Sequence, residues 1–90
     1  MKAVITVIGH DKVGIIATVS NILADAKINI LDISQTIMQN MFTMIMLVDI
    51  SNIDIKFGDF SAEMDSFGKE IGMVIRAMHE DIFNSMHRKL

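Results

Sequence analysis

Between Gly9 and Ile16 the chain reads Gly-His-Asp-Lys-Val-Gly-Ile-Ile, and this turn holds the residues best placed to do chemistry. An apolar stretch, Val4 to Ile8, ends in Gly-His-Asp, and an amphipathic helical pattern begins almost at once. Asp11 stands where a helix N-cap is expected, its carboxylate able to accept the free N–H of Val13 or Gly14. Gly14 then falls in the first helical turn, where a residue without Cβ is an odd choice unless something comes close. The N–H groups of a helix start are good partners for a carboxylate or phosphate. The turn therefore suits a small polar ligand, or the backbone of a second subunit. Nothing beside it looks like a reaction centre.

The elements that must position this turn follow from hydrophobic spacing. Lys2 to Ile8 is short, β-branched and bounded by Gly9, as a strand would be. From Val13 to Ala26 the apolar residues Ile15, Ile16, Val19, Ile22, Leu23 and Ala26 fall on one helical stripe. Ile28 to Gln39 is extended, with Leu31, Ile33 and Ile37 expected on one face and Asp32, Ser34 and Thr36 on the other. A hairpin around Asn40-Met41 leads into a strand from Phe42 to Ile50. After a polar segment, Asp59 is expected to cap a second helix with the stripe Phe60, Met64, Phe67 and Ile71, closed by Gly72. Met73 to Met78 is the last strand, and the charge order of Glu80 to Leu90, acids first and bases last, suits a short third helix.

The order β-α-β-β-α-β with a C-terminal helix predicts an α+β fold of the ferredoxin-like, split βαβ kind. The domain is expected over residues 1–78, with a helical extension over 79–90. Both main helices should lie on one face of an antiparallel sheet. The strands are apolar on both faces, so the other face should also be buried, by the terminal helix, a second copy, or both.

Composition narrows the function. Ninety residues give one domain with a thin core, and there is no cysteine to staple it. A hydrophobic content of 51% is high for so short a chain, and a subunit interface is the expected destination for the surplus. A net charge of -3 argues against an electrostatic grip on nucleic acid or anionic lipid. No apolar run approaches a membrane span and no signal peptide is recognisable, so an intracellular, cytoplasmic protein is expected.

Other chemistries find less support. His10 and His79 neighbour acids in sequence rather than at the spacing that groups metal ligands, and His87 lies among bases, so no metal site is expected. Nine methionines fill core and interface more readily than they bind copper. No glycine-flanked serine elbow and no Walker loop is present. The first strand-helix turn has no arginine, which disfavours an acylphosphatase. The absence of Trp and Tyr and the acidic balance disfavour an RNA-recognition module, and the missing cysteines exclude an iron-sulfur ferredoxin.

Asp11-Lys12-Val13-Gly14-Ile15 at the end of a first strand, with Lys27-Ile28-Asn29-Ile30 after the helix, resembles the ACT domain. The similarity extends from Met1 to about Met78 and is nearest to stand-alone, uncharacterised ACT proteins ending in a tail like His79-Glu80-Asp81-Ile82-Phe83. It also touches the paired ACT modules of glycine-cleavage regulators. One departure is Val13, where the family commonly carries proline ahead of the glycine. The resemblance implies a non-enzymatic regulatory domain that binds an amino acid or related metabolite between two copies. It implies a ligand-binding role for His10, Asp11, Val13, Gly14, Ile15, Asn29 and Ile30. It implies no cofactor. The expected partners are a second copy, an amino-acid ligand and a regulated protein reached through another surface. Each residue also has a plainer role: Asp11 as an ordinary cap, Gly14 as a packing residue, Asn29 bonding its own backbone. A structural dimerisation module without ligand is the alternative function.

Overall fold

β-branched Val4, Ile5, Val7 and Ile8 build the central strand β1 (Lys2–His10). In a computed structural model that describes residues 1–10 and 14–86, it is followed by α1 (Ile15–Asp25), β2 (Asn29–Met38) and β3 (Met41–Asp49). α2 (Phe57–Ile71), β4 (Val74–His79) and α3 (Glu80–Met86) complete the described chain. The sheet has the order β2-β3-β1-β4, antiparallel throughout. The two βαβ halves therefore interleave, which is the expected ferredoxin-like arrangement with a helix added after it.

Alternation along the strands decides which side carries the core. Ala3, Ile5 and Val7 of β1 and Phe42, Met44, Met46 and Val48 of β3 are buried toward the helices. Ile15, Val19 and Leu23 of α1 meet them at spacings of four, as do Phe60 and Met64 of α2. Burying a side chain such as Phe60 contributes on the order of 1.5–3 kcal/mol.

Both long helices end in the same way. In α1 the N–H of Ile28 donates to the Leu23 carbonyl at 2.9 Å and that of Lys27 to Ala24 at 3.0 Å. In α2 the N–H of Met73 donates to Gly68 at 2.8 Å and that of Gly72 to Lys69 at 3.4 Å. These are paired six-to-one and five-to-two bonds around a left-handed residue. Gly72 takes that conformation freely at φ 74°, whereas in α1 it falls to Lys27 at φ 62°.

The elements differ from those expected of the sequence at several places. α2 starts at Phe57 with Lys56 at the N-cap, so Asp59 lies in the first turn and favours the helix dipole rather than capping it. The hairpin turns at Gln39-Asn40, both with positive φ, and Met41 already belongs to β3. β2 carries a bulge between Ile30 and Asp32 that leaves Leu31 out of register. Residues 87–90, expected to continue α3, lie outside the described residues.

The second face of the sheet is only partly covered. α3 lies against β1 and β4 at one end, and there Val4 is 5% exposed although it points away from the helix-side core. Toward the other end, Ile8, Ile45 and Val74 remain exposed. An apolar pattern on both faces thus records surface that one chain does not bury by itself.

Candidate functional site

Gly14 is the N-cap of α1, not a first-turn residue, and adopts φ 83°, ψ 1°. Its carbonyl accepts from the Thr18 N–H at 2.9 Å and from the Thr18 hydroxyl at 3.0 Å. A Cβ at Gly14 would meet nothing within 4 Å. Among the described residues, then, the glycine answers a left-handed backbone requirement and not a close approach. As a glycine the N-cap offers no side chain of its own to the N–H groups that open the helix. Asp11 and Val13 lie outside the described residues, so the expected Asp11 cap falls there as well.

The other candidate residues divide between two ends of the molecule. His10 is exposed at the end of β1, opposite Met41. Ile15 is buried and belongs to the core. Asn29 begins β2 and pairs with Asp49, which in turn pairs with Lys2. From Lys2 to His10 is eight residue steps of strand, about 26 Å at ~3.3 Å each. Asn29 and the half-buried Ile30 therefore stand at the end of the sheet opposite the Gly14 turn. One chain does not bring these residues together.

Two further features of the fold were not expected from the sequence. Asp49 stands beside Asn29 on the adjoining strand and accepts from the Ser51 hydroxyl at 2.6 Å and the Ser51 N–H at 2.9 Å. Those two bonds hold its carboxyl below the ordinary aspartate value. The Asp49-Ile50-Ser51 spacing, an acid two residues before a hydroxyl and N–H donor in a turn, was the available signal. The second is the free edge of β2, where Leu31, Ile33 and Ile37 are exposed, Ile37 at 60%. Its bulge is held by the Ile33 N–H donating to Asp32 Oδ1 at 2.9 Å. The exposed Ile16 of α1 adds to the apolar character of this half of the molecule. Long apolar edge strands are templates for pairing with another chain.

Among the described residues no group of three or more His, Cys, Asp or Glu could hold a metal ion. No described helix is long and apolar enough to cross a membrane.

A four-stranded β2-β3-β1-β4 sheet, two helices on one face and a glycine turn between β1 and α1 define a class of small regulatory module, the ACT domain, whose family model matches residues 2–78. The chain belongs to that family. It is similar to a UPF0237 protein of Clostridium acetobutylicum, 62% identical over 88 residues that cover 98% of this chain and 99% of that protein. It also resembles the solved ACT domain protein from Streptococcus pneumoniae, with 41% identity, a TM-score of 0.79 and coverage of 92% and 93% of the two chains. A putative glycine cleavage system transcriptional repressor shares the fold at 24% identity and a TM-score of 0.70, this chain spanning 43% of that one.

Proposed function

We propose that the protein is a non-enzymatic sensor that binds an amino acid or related metabolite between two copies of itself. The observation that carries this reading is the separation of Asn29 from the Gly14 turn, together with the bare apolar edge of β2. If two β2 strands pair antiparallel about a two-fold axis, the start of each strand falls beside the end of the other. Asn29 of one copy then falls at the same end of the joined sheet as Gly14 of its partner, and two equivalent niches form. The ligand carboxylate meets the N–H groups that open α1 from one copy. Its ammonium meets the Asn29 side chain of the other, which is able to donate and accept. Ligand then favours the paired arrangement, because binding shifts only states that differ at the binding interface. The output passes to another protein, and the setting is intracellular.

Thermal unfolding against a panel of the common amino acids tests this. A specific ligand at a hundred times its dissociation constant adds ~2.7 kcal/mol, a shift of several degrees in a domain of this size. Asn29→Ala removes that shift and leaves the unliganded transition in place. No shift with any compound, or a shift that survives Asn29→Ala and Gly14→Val alike, overturns the proposal.

One observation favours a second reading, a dimerisation module without ligand. Val13 stands where the family commonly has proline, and a turn without that constraint is less pre-organised for binding. The same panel separates the two, since a purely structural dimer gives no ligand-dependent shift at any concentration.

A further inference from the structure

The open face of the sheet is covered at one end and bare at the other. α3 occupies the Val4 end. Toward the far end Ile8 pairs across from Val74, and Ile45 sits diagonally from Ile8 on β3, so the three form one apolar patch. Val74 is 50% exposed within it. α3 has the converse deficiency. Ile82 and Met86 are four residues apart, hence on one side of the helix, and both are exposed, Met86 at 66%. Among the described residues the same face therefore holds an apolar sheet patch with no helix on it and a helix that leaves Ile82 and Met86 exposed beside the sheet it covers.

We infer that two copies dock through these open faces, the α3 of each lying across the Ile8–Ile45–Val74 patch of the other. A two-fold axis in the plane of the sheet, perpendicular to the strands, exchanges the two ends of the face. The covered end of one copy then falls on the bare end of the other, and the contact is made twice. The charges agree with this pairing. α3 opens with Glu80 and Asp81, while the patch is flanked by exposed Arg76, on the same register row as Ile45 and Thr6. An acidic helix start meeting an arginine fixes orientation as well as attraction. Four strands span about 19 Å and the strands run ~30 Å, so closing both faces removes on the order of 1,000 Å² in total, the lower bound of a specific interface. This contact uses neither the β2 edge nor the metabolite niche, and combined with β2 pairing it gives a four-chain assembly.

The chain has no cysteine, so two single-cysteine variants report the contact directly. Val74→Cys and Met86→Cys are purified separately, mixed and mildly oxidised, and the cross-linked species is identified by mass. A mixed Val74→Cys/Met86→Cys species that exceeds both self-linked species supports the proposal; its absence overturns it. Light scattering gives a second measure: Val74→Lys and Met86→Glu each halve the mass of the wild-type assembly, and a mass unchanged by both overturns it. Ile37→Lys, on the β2 edge, leaves the mixed cross-link in place, so failure of edge pairing and failure of open-face docking are read separately.

Discussion

Met73 donates its N–H to the carbonyl of Gly68 at 2.8 Å, and its own carbonyl lies 2.7 Å from where a Cβ on Gly68 would stand. The last turn of α2 thus presses directly on the entry to β4, with Ile75 against the same point at 3.1 Å. In a free helix Gly68→Ala would gain about 1 kcal/mol of propensity. Here the added methyl meets backbone, which cannot rotate away. We expect Gly68→Ala to destabilise the protein by about 1–3 kcal/mol, the range for overpacking, measured by urea unfolding. Gly58→Ala, where a Cβ meets nothing within 4 Å, serves as the unstrained control.

The two helix ends make a prediction of opposite sign. Lys27 holds a left-handed backbone that Gly72 holds without cost at the end of α2. A side chain in that region costs ~1–2 kcal/mol, partly offset by the greater freedom glycine gains in the unfolded chain. Lys27→Gly is therefore expected to stabilise by about 0.5–1 kcal/mol, and Gly72→Ala to destabilise by a similar amount. A thermal shift in the same direction for both variants would contradict the assignment of a common helix ending.

These helix ends also show what the sequence could convey. Gly72 was legible as a C-terminal glycine because residue type and conformation agree; Lys27 hid the same turn behind an unfavourable residue. The alternation of Phe42, Met44, Met46 and Val48 gave the buried face of β3, and element order gave the fold. The bulge at Leu31 could not be read, because one extra residue leaves the local pattern apolar. Asn29 and Gly14 stand together only through the resemblance to the ACT domain, whereas antiparallel register sends them to opposite ends of the sheet. Sequence spacing carries no information about that separation until the strand pairing is known. The surplus of apolar residues on both sheet faces was visible, and the structure locates it at the β2 edge and at Ile8, Ile45 and Val74.

Asp49 links stability to acid. The hydroxyl and N–H of Ser51 bond its ionised form and hold its pKa below the ordinary value of 3.8. A group with a depressed folded-state pKa contributes stability that is present above the unfolded-state value and is lost as pH falls through the folded one. Wild-type protein should therefore lose stability over that acidic window more steeply than Asp49→Asn, and the two should run parallel at neutral pH. Parallel curves through the acidic range would show that the Ser51 bonds do not favour the charged carboxylate.

A niche assembled from two chains has a signature that a niche within one chain lacks. Suppose the turn comes from one copy and Asn29 from the other. A protomer carrying Gly14→Val and a protomer carrying Asn29→Ala then each form dimers with no intact niche. In a mixed dimer one niche contains both lesions, but the other combines a native turn with a native Asn29. Mixing the two variants after brief unfolding should restore ligand binding at one niche per mixed dimer, read by calorimetric titration with whichever amino acid shifts the wild-type transition. Because Gly14 sits at positive φ, Gly14→Val is expected to cost about 1–2 kcal/mol of stability by itself, so the mixing is done well below its unfolding midpoint. Binding that stays absent in the mixture, with mixed dimers verified by mass, would place Gly14 and Asn29 in separate sites and remove the reason for setting the niche between two copies.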